Sequence, residues 1–158
     1  MKRLISIFAT ALAASLLCVA AALAAANYND TVSAFQTASA ESEGVALNLR
    51  AAGDLPGMGK FTLRREGNNV TGGSWSLTVL PPDADASSSE KGRLTGAVTG
   101  GSLTFNPDGT VAGVSAVQLT VEGGTGEHAS VGSGGGTLTL SADAEIPSKL
   151  TGTLALNF

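Results

Sequence analysis

From Val45 to the last residue, Phe158, apolar side chains fall on every second position in one segment after another. Val45, Leu47 and Leu49 do so, as do Phe61 and Leu63, and Trp75, Leu77 and Val79. The pattern continues through Leu94, Gly96 and Val98, through Leu103 and Phe105, and through Val117, Leu119 and Val121. It closes with Leu138 and Leu140 and then Leu150, Gly152, Leu154, Leu156 and Phe158. A period of two sends alternate side chains to opposite faces of an extended strand. Strands with one apolar and one polar face belong to antiparallel sheet that is buried on one side and wet on the other. No segment carries a convincing helical period, and the Gly, Ser, Thr and Val between the apolar positions are poor helix formers. The pattern predicts an all-β chain of about eight strands.

The turns agree. Asn106-Pro107-Asp108-Gly109 reads as a type I turn with glycine placed for the left-handed position, joining 103–105 to 110–114 as a hairpin. Glu66-Gly67-Asn68-Asn69 should close a second hairpin, between 61–65 and 70–79. The stretch 53–59, GDLPGMG, reads as a longer connection, and 81–92, PPDADASSSEKG, as a polar surface loop. Glycines on the apolar face of strands suit sharp curvature, and closure removes the edges that eight short strands would expose. The expected fold is a single antiparallel β-barrel in meander order with Gly-rich turns, with a β-sandwich as the alternative.

The first residues follow another logic. Lys2 and Arg3 precede an uncharged apolar run from Leu4 to about Ala20, and small residues with Ala-x-Ala spacing follow at 22–26. That order is the signature of a cleaved secretory signal. Residues 1–24 are therefore read as the signal, with cleavage after Ala24 or Ala26, and 25–158 as one all-β domain. Cys18, inside the apolar run and preceded by the large Leu17, reads as filler and not as a lipid-modified residue. Loss of Lys2 and Arg3 would take the formal net charge from −4 to −6 and leave no cysteine. The expected destination is the periplasm or the medium.

Val121-Glu122-Gly123-Gly124-Thr125-Gly126-Glu127-His128-Ala129-Ser130 resembles the Gly-Gly-Thr-Gly-x-aromatic-x-Gly segment of allene oxide cyclase-like and dirigent-like barrels. Exported bacterial proteins of unknown role share that segment, which precedes a strand rich in Gly-Thr-Leu-Thr. Here Gly136-Thr137-Leu138-Thr139 follows. The resemblance implies an eight-stranded antiparallel barrel. His128 stands where the pattern has an aromatic, and no active-site residue of the plant enzymes maps onto this chain, so no catalytic role carries over.

Few residues can carry chemistry. One histidine excludes sites built on two imidazoles, and a lone cysteine excludes an internal disulfide or a thiolate cluster. No Gly-x-Ser-x-Gly elbow is present, and Gly132-Ser133-Gly134-Gly135-Gly136 lacks the Lys and Ser/Thr of a phosphate-binding loop. Asp83, Asp85 and Glu90 offer too few oxygens for calcium and read as solvated loop. No catalytic residue, metal or cofactor is assigned. The candidate ligand-binding residues are Arg64, Trp75 and His128. Arg64 and its neighbour Arg65 point to opposite faces in a regular strand, so one of them can face the interior. Trp75 is the sole tryptophan and lies mid-strand, where core packing competes with ligand stacking. His128 is the one group with an ordinary pKa near neutrality.

No polybasic block exists, which speaks against nucleic acid. Six aromatics beyond the signal are too few for two membrane girdles, and most strands read as shorter than a membrane crossing needs. The chain is thus expected to be a small exported barrel, non-catalytic, binding a small apolar molecule or a protein partner. The alternatives are a cyclase- or dirigent-like protein that shapes a reactive intermediate and a pilus-like surface subunit. An apolar internal cavity would favour ligand binding. A filled interior with an unpaired strand would favour assembly, and converging polar groups would revive catalysis.

Overall fold

A computed structural model describes residues 26–37, 44–81, 90–146 and 148–158. The signal segment and the loop acids Asp83 and Asp85 lie outside the described residues. The strands are β1 (Asn27–Gln36), β2 (Gly44–Gly53), β3 (Gly57–Glu66), β4 (Asn69–Val79), β5 (Gly92–Phe105), β6 (Val111–Gly126), β7 (Gly134–Ala142) and β8 (Lys149–Asn157). Each pairs antiparallel with its neighbour in sequence, and β8 returns to β1, so the sheet is a closed eight-stranded barrel in meander order. The sandwich alternative is excluded.

Closure joins the first and last described segments. Tyr28 lies opposite Leu156, and Ala34 opposite Leu150. Beyond the strands, the Ala26 amide donates to the Phe158 carbonyl at 2.9 Å, and the Phe158 amide donates back at 3.2 Å. Both ends of the described chain therefore lie at one end of the barrel, called here the terminal end. It also carries the short β2–β3 connection, the end of β4, the start of β5 and the β6–β7 loop. The opposite, hairpin end carries the Gly67-Asn68 and 106–110 turns and the β7–β8 loop.

The alternation seen in the sequence is the alternation of the wall. Val45, Leu47, Leu49, Phe61, Leu63, Trp75, Leu77, Val79, Leu94 and Val98 are buried inside, as are Leu119, Val121, Leu138, Leu140, Leu150, Leu154 and Leu156. Thr153 and Asn157 are exposed and Thr151 and Ala155 intermediate, as the outward set of the last strand should be. Phe158 packs partly buried against the core. Phe61, Leu47, Leu63, Leu77, Leu94, Leu138 and Leu154 have 0% exposure. No water-sized space adjoins such side chains, so the barrel centre is a packed core. Each fully buried leucine contributes roughly 1.5–3 kcal/mol by leaving water.

Several boundaries differ from the expectation. The segments around 94–98 and 103–105 are one strand, β5, and 110–114 and 117–121 are likewise one strand, β6. The register of β5 on β6 shifts around Gly96, Gly100 and Ser102 and between Thr104 and Phe105. Such bulges break the period of two and bend the strand without ending it. Gly101, at φ +129°, leaves no room for a side chain, because a Cβ there would lie 2.6 Å from the Val117 Cα. β1 escaped the periodicity reading for a different reason: its inward set includes the acid Asp30, while Phe35 points outward at 46% exposure. The merged strands and the missed one offset each other, so the count of eight stands.

The strands run from 9 to 16 residues, longer than expected. The hairpin at Asn106–Gly109 has its predicted form: the Gly109 amide donates to the Asn106 carbonyl at 2.9 Å, and Gly109 takes φ +82°. Asp108 accepts from the Thr110 amide and hydroxyl at 2.9 and 2.6 Å, which holds its carboxyl below the usual range. The connection expected over 53–59 is tighter, leaving three residues between β2 and β3.

Candidate functional site

The wall formed by β6, β7, β8 and β1 turns an unusual set of side chains to the outside. Thr137 of β7 lies opposite Gln118 of β6 on one side and Ala155 of β8 on the other, and Ala155 lies opposite Asn29 of β1. In the next outward row, Gly135 lies opposite Asn157, and Asn157 opposite Asn27. The small residues Thr137, Ala155 and Gly135, set among the longer carboxamides, leave a trough. It is a solvent-open groove of about 460 Å³, and Tyr28 borders it. Leu119 and Leu156, whose side chains belong to the inner face, and Gly136 border it with their backbone. No Asp, Glu, Lys or Arg lines it.

Hydrogen bonds fix two of the carboxamides. Asn157 Oδ1 accepts from the Gly135 amide at 2.8 Å, and Gln118 Nε2 donates to the Ala116 carbonyl at 3.0 Å. The second bond braces a strained bulge. Ala116 has φ +46°, a left-handed conformation costing about 1–2 kcal/mol for a residue with a Cβ, and β6 shifts register between Val114 and Val117. Asn157 and Gln118 are thereby held in place, while the Asn157 amide nitrogen and the Gln118 amide oxygen stay available to a ligand.

The terminal end adds an aromatic cluster. Tyr28 stacks on Phe158 with ring centroids 4.7 Å apart, and the His128 ring stands edge-on to Phe158 at 6.4 Å. The His128 backbone is held in the β6–β7 loop by its amide's bond to the Thr125 carbonyl and its carbonyl's bond from the Val131 amide. His128 Nε2 is buried with no hydrogen-bond partner. The same end holds Asp30, 2% exposed on the inner face of β1. Its Oδ1 accepts from the Leu55 amide at 2.9 Å, and its Oδ2 is buried without a partner. Burial pushes its carboxyl pKa up, the Leu55 bond opposes this, and the nearby Asp54 adds repulsion. Asp54 Oδ2 accepts from the Asn29 amide at 2.9 Å, so the two acids pin the β2–β3 connection to β1.

The three residues singled out from the sequence fall in three places. Arg64 is exposed on the outer wall, where its guanidinium lies across its partner Gly72, 3.0 Å from where a Cβ would sit. The register shift between Arg64 and Arg65 breaks the simple opposition of the pair. Arg65 stacks over Phe105 at 4.6 Å and bonds the Gly67 carbonyl at the hairpin end. Trp75 is core, 3% exposed, and stacks on Phe61 at 5.9 Å. Its Nε1 donates to the Thr120 carbonyl at 3.0 Å. His128 lies in the cluster that closes the terminal end. No shared site unites these three.

Sequence reading passed over the groove residues Asn27, Asn29, Gln118, Thr137 and Asn157. Outward polar residues on strands look alike until register shows which of them are neighbours. Asp30 was legible only as an acid in a segment with no evident period. Among the described residues, no group of three His, Cys, Asp or Glu side chains is placed to hold a metal ion. No protein-family model, curated protein or solved structure matches the chain.

Proposed function

We propose that this chain is an exported, non-catalytic binding barrel that takes its ligand on the outer wall and not in the interior. The observation that carries this reading is the pairing of a packed centre with a groove of about 460 Å³ on the outer wall. That volume falls within the range of roughly 300–1,000 Å³ typical of small-ligand sites. Export rests on the basic, apolar, small-residue order of residues 1–26. Apolar side chains turned inward and threonines and carboxamides turned outward are the reverse of a membrane barrel's arrangement, which weighs against insertion.

The alternatives have less support. A cyclase- or dirigent-like role calls for an apolar chamber, and the packed centre offers none beside its fully buried side chains. Pilus-like strand addition calls for an open edge, and the closed barrel pairs all eight strands on both sides.

The test is a ligand screen by thermal shift on the mature protein and on Thr137→Trp, which fills the groove from an outward strand position that tolerates an aromatic. Ligands that stabilise the parent and not the filled variant are expected. Ligands that stabilise both equally, or turnover of any compound in the screen, would overturn the reading.

A further inference from the structure

Resting on that reading of the groove, we infer that its ligand is a neutral carbohydrate. The argument starts from what lines it. Four carboxamides and one hydroxyl, Asn27, Asn29, Gln118, Asn157 and Thr137, surround the small residues Gly135, Gly136 and Ala155, and the inward-facing Tyr28, Leu119 and Leu156 border the groove with their backbone. The side chains of Asn27, Asn29 and Thr137 make no hydrogen bond to another described residue. A carboxamide presents donors and an acceptor together, as does a sugar hydroxyl. A pyranose carries hydroxyls on its rim and C–H groups on its faces, and this groove carries amides on its rim around the Ala155 methyl and the Cα atoms of Gly135 and Gly136. The absence of any charged lining residue argues against nucleotides, phosphorylated compounds and acidic or basic peptides, whose charges would enter unpaired. A purely apolar ligand would leave the amides desolvated without partners.

Two features make this more than a wet surface. The Asn157–Gly135 and Gln118–Ala116 bonds fix two recognition groups before a ligand arrives, which lowers the ordering cost of binding. The site is also built across four strands of a closed sheet, so its geometry does not depend on a loop.

The experiment is a titration of the isotope-labelled mature protein, followed by amide NMR shifts. The probes are neutral di- to tetrasaccharides of gluco, galacto, manno and N-acetylated configuration, matched uronic acids, and a medium-chain alcohol. A neutral saccharide should shift Asn27, Asn29, Gln118, Gly135 and Thr137 together. Asn29→Ala should weaken that binding several-fold and Thr137→Trp at least tenfold, with the melting temperature of each variant near that of the parent. Shifts at these residues from the alcohol or the uronic acids alone would overturn the carbohydrate inference and leave the outer-wall binding reading standing. Silence of these residues towards every probe at millimolar concentration would also overturn the carbohydrate inference. If protein from its native source then carries no ligand or partner on this wall, the outer-wall reading falls as well.

Discussion

The indole Nε1 of Trp75 donates to the carbonyl of Thr120 at 3.0 Å, reaching from β4 to β6 over the strand between them. It crosses at Gly96, the residue of β5 paired with Trp75. A Cβ on Gly96 would sit 1.8 Å from the Thr120 oxygen and 2.7 Å from the indole nitrogen. The bulge beside Gly96, where Gly96 faces Val121 and Thr95 faces Gly123, accompanies this arrangement. Tryptophan, glycine and bulge thus form one unit that lets a large ring lie flat on the inside of a narrow barrel.

Gly96→Ala should therefore destabilise the protein by about 1–3 kcal/mol, the usual cost of overpacking a rigid core. Chemical denaturation followed by tryptophan fluorescence reads both the loss and any displacement of the indole. A variant as stable as the parent, with unchanged fluorescence, would show that the indole does not lie over β5.

Asp30 contributes a pH dependence with a definite sign. Burial raises its carboxyl pKa in the folded state above the ordinary 3.8. A raised carboxyl favours the protonated folded form, so its relative stabilisation is full below pH 3.8 and is lost as pH rises through the folded value. Asp108 and Asp143 carry the opposite sign, since hydrogen bonds hold their carboxyls low and their contributions are lost on acidification. Asp30→Asn isolates the first effect. The stability of the variant relative to the parent should become more favourable between pH 4 and pH 7, by an amount on the order of 1 kcal/mol for a buried, unsatisfied charged oxygen. A difference that stays flat across that range would sink the assignment.

His128 stands edge-on to Phe158 with a buried nitrogen that no group satisfies. Phenylalanine can keep the edge-to-face contact without the unpaired nitrogen. His128→Phe is expected to stabilise the protein by about 1 kcal/mol, read as a rise in melting temperature. A fall of similar size would mean that the imidazole nitrogen has a partner in solution.

The last strand closes the barrel, and its removal should be severe. Deleting residues 154–158 removes Leu154 and Leu156, at 0% and 2% exposure, together with the Phe158–Tyr28 stack. It also exposes stretches of β1 and β7 as unpaired edges. At roughly 1.5–3 kcal/mol per buried leucine, against a typical total of about 5–15 kcal/mol, the truncated chain should unfold or aggregate. A cooperative melt at the parent temperature would be the contrary result.

Much of the wall was legible before any coordinates. The inward and outward sets of Val45–Leu49, Trp75–Val79 and Leu150–Phe158 follow from a period of two, because a strand has no other way to sort its side chains. The turn at Asn106–Gly109 was legible for a similar reason: its residue types select a local geometry that needs no distant partner. Tertiary structure decided whatever depends on which strands become neighbours. Asp30 is buried because the Leu55 amide, 25 residues away, meets its carboxylate. Trp75 requires glycine at position 96 because β5 carries that position beneath the ring. The groove exists because register sets Gln118, Thr137, Ala155 and Asn29 side by side, although they come from four strands spread along the chain. Alternation is a property of each segment alone, whereas a site on a closed sheet belongs to the pairing of all of them.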